Sequence, residues 1–266
     1  MDGQLALLFA LTFVINLVGS LAYSVRIAGV RTLRIAVSLS LFNILLLVSR
    51  TANSFQAPLL AKRVESSLTA TAESSVGDFR WLLAAASLAT IAGAALTPMF
   101  QRLFTKAVNS FATDRSLSRL VLRLFSPAGV AAVREAVAVP SMKTAMASTR
   151  RPSIAMHVVV TNVLATAIWT VGVFASLYAA YLAPELRVTS SNLSGIINGL
   201  ATILLFVVVD PHLSLITDDV VQGRTSEGVF RRAVVWMLGS RLLGTLLAQF
   251  LLVPAAMIIA ALAGRL

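Results

Sequence analysis

Three arginines lie within or at the end of long apolar stretches of this chain, where their side chains could bind phosphate. Arg26 closes the first apolar stretch, Arg50 follows Arg34 by sixteen residues, and Arg241 follows Arg232 by nine. At a helical rise of about 1.5 Å per residue, Arg50 lies about 24 Å and Arg241 about 13 Å into a hydrocarbon core of about 30 Å. Because a guanidinium group can bind two phosphate oxygens at once, these spacings predict phosphate contacts at three successive depths.

Two asparagines share an apolar stretch with Arg50, in which small and polar residues recur every three or four positions. This stripe comprises Ala36, Ser40, Asn43, Leu47, Arg50, Ser54 and Ala57. A polar group in hydrocarbon costs several kcal/mol unless it faces protein or a cavity. We therefore predict that a substrate bearing phosphate groups binds to Arg26, Asn43, Arg50, Asn53 and Arg241. The alternative is that the arginines extend to the membrane interfaces or pair with acids, and that the stripe only packs helices.

A second polar group follows the fifth apolar stretch and contains Asp210, His212, Asp218 and Asp219. Asp210 precedes a proline and predicts a helix N-cap, and Gly223 predicts the end of that short helix at the membrane surface. One hypothesis is that these four residues form a polar loop that acts as a gate. Such ligands could bind Mg²⁺ or Mn²⁺, but helix capping and pairing with nearby arginines is favoured, so no metal site is predicted.

No pattern of catalytic residues accompanies these groups. The chain has no cysteine and no phosphate-binding P-loop, and it lacks the dense Asp-Gly pattern of CDP-alcohol phosphotransferases. We therefore predict no catalytic residues, no cofactor and no enzymatic activity. A membrane-embedded lipid-phosphate enzyme and a non-transporting membrane scaffold remain the alternatives from other functional classes.

The elements that position these residues are membrane-spanning helices. Of the 266 residues, 58% are hydrophobic and 12% are charged, and soluble domains carry roughly twice that charge. Apolar runs long enough to cross a bilayer recur along the whole chain. The prediction is a single all-α polytopic membrane domain, residues 1–266, with spans at about 4–23, 35–57, 80–101, 155–182, 191–209 and 233–262.

The distribution of basic residues predicts the orientation. Loops 24–34, 102–154 and 210–232 hold fifteen of the 22 Lys and Arg residues, and the opposite side holds six. Because Lys and Arg favour the cytoplasmic side, both termini are predicted to be extracytoplasmic. The net charge of +11 is largely explained in this way. Anionic phospholipid headgroups are therefore the predicted partners of the basic segment 102–154, and nucleic acid is not.

Within that segment, Arg115, Arg119 and Arg123 recur every four residues opposite a leucine-rich face, which predicts an amphipathic helix lying along the membrane interface. Ser126 and Pro127 predict the start of a second cytoplasmic helix. Three spans on either side of this segment would suit two halves of inverted topology.

Two long segments resemble the signatures of a known family. Residues 21–60 read LAYSVRIAGVRTLRIAVSLSLFNILLLVSRTANSFQAPLL, and residues 208–256 read VVDPHLSLITDDVVQGRTSEGVFRRAVVWMLGSRLLGTLLAQFLLVPAA. The first resembles the N-terminal signature of the Amj family, the alternate lipid II flippases, and the second resembles its C-terminal signature. The resemblance implies a protein of the bacterial plasma membrane that moves lipid II, an undecaprenyl-pyrophosphate-linked disaccharide-pentapeptide, from the inner to the outer leaflet for peptidoglycan synthesis, as the MurJ flippase does. It leaves open whether the unit is a monomer or a homo-oligomer.

Overall fold

The computed structural model describes residues 2–69, 76–114, 126–138 and 153–266, and these residues form helices with short connections and no strand. The α-helices are α1 (Gly3–Thr32), α2 (Ile35–Thr69), α3 (Val76–Asp114), α4 (Pro127–Ala136), α5 (Met156–Leu182), α6 (Arg187–Leu204), α7 (Asp210–Val221) and α8 (Glu227–Ala263). Six helical segments in this part of the chain are long and apolar enough to cross a membrane, with α6 and α7 together forming the fifth. The predicted all-α fold with six spans is confirmed.

The fifth span corrects the prediction for residues 210–232. Leu205–Val209 form one π-helical turn that joins α6 to α7 without a break, and Asp210 has helical backbone angles. No side chain caps α7, so the predicted N-cap at Asp210 is wrong. Pro211 has no N–H group, and the wider π turn allows the chain to continue through it. The predicted stop is correct, because Gly223 has a φ of +73° just after α7.

The segment after α3 is only partly described. α4 begins at Pro127, as predicted, and the Ser126 side chain accepts a hydrogen bond from the Gly129 N–H. The Lys106 Nζ atom lies 2.6 Å from Glu135 and ties α3 to α4, and this contact lowers the pKa of the Glu135 carboxyl group. The predicted amphipathic helix with Arg115, Arg119 and Arg123 lies outside the described residues.

The six spans pack as an arc in which each half has the same pattern. α1 packs between α2 and α3, and α5 packs between α6 and α8. The two halves meet mainly where α3 contacts α8. Since α1 is the first span and α5 the fourth, they cross the bilayer in opposite directions. This packing supports the arrangement of two three-helix halves with inverted topology.

Close helix contacts in this arc depend on small residues. A Cβ atom on Gly93 of α3 would lie 2.5 Å from the Ser20 Cβ of α1, and one on Gly244 of α8 would lie 2.7 Å from the Val163 carbonyl oxygen of α5. Backbones that approach this closely gain dispersion energy, which drives helix association in a bilayer. These glycines therefore hold α1 against α3 and α5 against α8.

Ion pairs connect helix ends at both membrane faces. At one face, the Arg63 guanidinium group lies 2.7 Å from Asp2 and 2.7 Å from Asp78, so it joins the ends of α1, α2 and α3. At the other face, Arg31 lies 2.7 Å from Glu227 and joins α1 to α8. The helix ends joined at each face are thus ones that the distribution of basic residues predicts to lie on the same side of the membrane.

Candidate functional site

A cavity of about 150 Å³ lies between α1, α2, α5, the α6–α7 span and α8. Arg26, Arg50 and Arg241 all line this cavity, so the first two helices and the last one bring the three predicted arginines together. Asp210 also lines it and is the one acidic residue among its described lining. Asn43 and Asn53 do not line it.

The three arginines lie at different levels of the cavity, as contacts with their neighbours show. Arg26 stacks over the Phe42 ring, near the start of α2. Arg241 packs against Gly19, about two turns from Arg26 along α1. Arg50 follows Ser49, whose hydroxyl donates to the Ile15 carbonyl a further turn along α1. The depth order is therefore Arg26, Arg241, Arg50, with Arg26 at the predicted cytoplasmic end.

At the Arg26 end, the positive charge is paired within the protein. The Arg26 Nη2 atom donates to Asp210 Oδ1 at 2.7 Å, and the side chains are 10% and 29% exposed. The guanidinium carbon also lies 5.0 Å from the Phe42 ring centre, within the range of a cation–π interaction. Arg26 is thus held in place by a carboxylate on one side and an aromatic ring on the other.

Arg241 has no such partner. Its Nε atom is buried and makes no hydrogen bond within the described part of the chain, and no acidic side chain described there pairs with it. Gly19 leaves the space for its guanidinium group, since a Cβ atom there would lie 2.5 Å from Arg241 Nη2. The Thr166 hydroxyl, 1% exposed and also in the cavity lining, likewise lacks a partner. A guanidinium group in the cavity lining without an acidic partner favours the binding of an anion.

Arg50 lies on the rim of the cavity, and its surroundings correct the predicted stripe on α2. Arg50 is exposed and forms no ion pair with any described residue. The face of α2 toward the cavity carries Phe42, Leu46, Ser49 and Arg50. The rest of the predicted stripe is centred about 100° further round the helix and is mostly exposed, including Asn43. The prediction chose the correct helix but was wrong that the whole stripe would be sheltered.

The chain is similar along almost its whole length to proteins of one family. The family model described as "Alternate to MurJ" matches residues 11–263. A protein of Bacillus subtilis (strain 168) named lipid II flippase Amj is 36% identical over 259 residues, which are 97% of this chain and 96% of that protein. The chain belongs to the Amj family. No solved structure matches it.

In this Amj-family chain, the four residues of the predicted gate do not form one group. Asp210 reaches the cavity, while the Asp219 carboxylate accepts from Arg224 Nε at 2.8 Å outside it, and Asp218 is exposed. The His212 Nδ1 atom donates to the Val208 carbonyl oxygen at 2.8 Å. No cluster of three or more His, Asp or Glu side chains that could hold a metal occurs in the described ranges.

Several cavity residues of this Amj-family chain were not predicted. Gly19 and Tyr23 of α1 lie one helical turn apart, and the second is one turn before Arg26, so the spacing of small and polar residues could have indicated this face. Thr166 and Trp169 of α5 carry no such signal, because they stand in an almost uniformly apolar helix.

The cavity of this Amj-family chain has an opening on one side. Phe42, Leu46 and Ser49 of α2 line one wall, and Thr202 and Phe206 of the α6–α7 span line another. These two spans hardly contact one another, and few residues of either span are buried. A group held at the arginines would therefore have access to the surrounding lipid between α2 and α6.

Proposed function

We propose that this protein is a lipid II flippase of the bacterial plasma membrane. The observation that carries the proposal is the arginine-lined cavity within the six-span bundle of an Amj-family chain. The relative from Bacillus subtilis that bears this function in its name aligns over almost the full length of both chains. The substrate would be an undecaprenyl-pyrophosphate-linked disaccharide-pentapeptide, moved from the inner to the outer leaflet for peptidoglycan synthesis.

The physical obstacle to this movement is the charged and hydrophilic head of the lipid. Phosphate charges and sugar hydroxyls are costly to transfer into hydrocarbon, whereas the apolar polyprenyl tail is soluble in it. In the proposed mechanism, Arg241 and Arg50 bind the pyrophosphate oxygens inside the cavity. The tail leaves through the opening between α2 and α6 and stays in lipid throughout. The protein then has to shelter only the head.

Arg26 and Asp210 have a separate role in this mechanism. In the absence of substrate, the Asp210 carboxylate binds Arg26 at the predicted cytoplasmic end of the cavity. A pyrophosphate that enters there competes with Asp210 for the same guanidinium donors. The exchange would release the α6–α7 span at its π turn, where one helical hydrogen-bonding pattern changes to another. Asp210 is then the acidic residue of the proposed gate.

We also propose that lipid II is transported without being chemically changed. A leaflet-accessibility assay in cells whose single candidate flippase is this protein should show lipid II at the outer surface, and the lipid recovered from purified protein should be intact. Lipid II confined to the inner leaflet at normal expression would contradict transport. Release of phosphate or sugar from radiolabelled lipid would instead favour the lipid-phosphate enzyme.

Orientation is tested separately, with both termini proposed to lie outside the cell. The chain has no cysteine, so single cysteines at Ser66, Gly264 and Gln222 can be labelled without background. An impermeant thiol reagent should label Ser66→Cys and Gly264→Cys in intact cells and should label Gln222→Cys only after lysis. The opposite pattern would invert the orientation and place the Arg26 end of the cavity outside.

A further inference from the structure

The polar groups that line the cavity are of few chemical types, and these types limit the substrate groups that the cavity can recognise. Apart from the arginines and Asp210, they are the hydroxyls of Tyr23, Ser49, Thr166 and Thr202 and the indole of Trp169. No side-chain amide and no unpaired carboxylate occurs among the described lining residues. Those are the groups that would be expected to read the amide and ammonium groups of a peptide. The lining is therefore equipped for an anion and poorly equipped for a peptide.

The cavity is also small. Its volume of about 150 Å³ compares with about 300–1,000 Å³ for pockets that enclose drug-sized ligands. A disaccharide with five amino acids does not fit within it. The sugars and the peptide must therefore lie outside the part of the site that carries the charges.

The net charge of the lining gives a further criterion. Three guanidinium groups and one carboxylate leave two positive charges. A pyrophosphate that links a lipid to a sugar carries one negative charge on each of its two phosphates, so it neutralises the cavity. A monophosphate diester, such as the linkage in ordinary phospholipids, carries half that charge and would leave one arginine unpaired in a low-dielectric site.

We infer that the cavity selects its substrate by the pyrophosphate diester, so that the protein also moves isoprenoid pyrophosphates whose head groups lack the peptide or the second sugar. The inference rests on the proposed flippase function and broadens its substrate class. The Arg241 guanidinium group beside Gly19 supplies donors for one phosphate, and Arg50 on the rim supplies donors for the other. Whatever extends from the second phosphate leaves through the opening.

The test uses the purified full-length protein in vesicles, with movement of fluorescent lipid II as the readout. Three unlabelled competitors are compared: polyprenyl pyrophosphate bearing the disaccharide without peptide, polyprenyl pyrophosphate bearing one sugar, and polyprenyl monophosphate bearing one sugar. Both pyrophosphates should inhibit at concentrations within about threefold of unlabelled lipid II. The monophosphate should need about tenfold more or above, because one charge-assisted contact is lost.

Labelled versions of the three lipids then show which of them cross. Movement of both truncated pyrophosphates, with little movement of the monophosphate, supports the inference. Failure of both truncated pyrophosphates to compete or cross, while lipid II moves normally, would overturn it, as would equal competition by the monophosphate. If lipid II itself does not move, the flippase proposal fails, and the two failures are thereby distinguished.

A charge variant separates selection by charge from a structural effect. Arg50→Gln should reduce the preference for pyrophosphate over monophosphate from about tenfold to about threefold or less, since the cavity then carries a single net positive charge. Arg102→Gln removes an exposed arginine of α3 that does not line the cavity and should leave the preference unchanged. An unchanged preference in Arg50→Gln would exclude charge matching as the basis of selection.

Discussion

The two ends of the cavity handle positive charge in opposite ways. At one end, Arg26 is held between a carboxylate 2.7 Å away and an aromatic ring. Further along, Arg241 has a buried Nε atom without a partner, and Arg50 stands on the rim without an acid. The same residue type thus serves two purposes. A paired arginine stabilises one arrangement of helices, whereas an unpaired one is available to a substrate.

The difference comes from a single acidic residue. Asp210 is the one carboxylate in the described cavity lining, and the π turn before it places it beside Arg26 and away from Arg241. A buried charge without a partner costs several kcal/mol, so the stability of the bundle alone does not account for Arg241. We therefore expect that removing the charge of Arg241 affects substrate binding. Removing a charge of the Arg26–Asp210 pair should instead affect the movement of the α6–α7 span.

The largest effect is expected at Arg241. Loss of charge-assisted hydrogen bonds to phosphate costs about 1.5–3 kcal/mol, so Arg241→Gln should slow lipid II movement in vesicles roughly 10- to 100-fold. Arg241→Lys keeps the charge but cannot bind two phosphate oxygens at once, so its transport rate should lie between those of the wild type and Arg241→Gln. Rates are compared at matched amounts of folded protein. Equal rates for all three forms would mean that Arg241 has a structural role and that the ends of the cavity do not differ as argued.

The paired end should respond differently. Asp210→Asn frees Arg26 and raises the positive charge of the cavity, so the half-saturating lipid II concentration should fall by about threefold to tenfold while the maximal rate also falls. Arg26→Gln should raise that concentration. In the double variant the two effects should not add, because the residues act as a pair.

Asp219→Asn is the matched control for this prediction. Asp219 lies on the same helix and pairs with Arg224, but it does not line the cavity. Its replacement should change neither the half-saturating concentration nor the rate by more than about twofold. If Asp210→Asn behaves like Asp219→Asn, then Asp210 does not compete with the substrate and the gate proposal is wrong.

The sequence was sufficient to predict the six spans and the order of the three arginines along the bundle, because the length of an apolar helix and the helical rise set both. It was not sufficient to predict where helices end, since hydropathy reports the position of the membrane and α3 continues to Asp114 well past its apolar part. The rotation of α2 also could not be predicted. Which face of a helix is sheltered depends on its contacts with neighbouring helices, for α2 chiefly with α1, and hydropathy does not report those contacts.

The error at Asp210 has a definite physical origin. A residue before proline is disfavoured in helical conformation, so Asp210 with Pro211 indicated a helix start. Asp210 nevertheless keeps helical backbone angles after the π turn, and its side chain pairs with Arg26, 184 residues away in sequence. Preferences that depend on neighbouring residues in the sequence cannot predict so distant a partner. The predicted residues that line the cavity were inferred from distances along single helices, whereas the lining residues that were missed depend on contacts between helices.

A smaller effect is expected from a glycine beside Arg241. A Cβ atom on Gly19 would lie 2.5 Å from the Arg241 guanidinium group, which is the movable end of a long side chain. Gly19→Ala should therefore displace that group and slow transport about threefold to tenfold with little loss of folded protein. Gly244→Ala is the contrast, because its Cβ atom would meet the Val163 backbone oxygen at 2.7 Å. It should lower the thermal stability and yield. The reverse pattern would show that Gly19 serves helix packing.

The smallest effect on transport is expected at the ion pairs outside the cavity, where Arg63 joins Asp2 and Asp78. The pKa of Asp2 lies below its ordinary value because its carboxylate accepts a hydrogen bond from the Leu5 N–H and is paired with Arg63. A carboxyl group whose pKa is lowered in the folded state stabilises that state at neutral pH, and this contribution disappears as the pH falls through its pKa. Asp2→Asn keeps a side chain that can cap α1 and removes only the charge. Its melting temperature in detergent should therefore be slightly below that of the wild type at about pH 7 and converge with it toward about pH 3. The transport rate of Asp2→Asn should stay within about twofold of the wild-type rate, since this pair only joins helix ends.

A tenfold loss of transport in Asp2→Asn would mean that paired charges far from the cavity also govern substrate movement. The distinction between paired and unpaired arginines would then no longer explain the site.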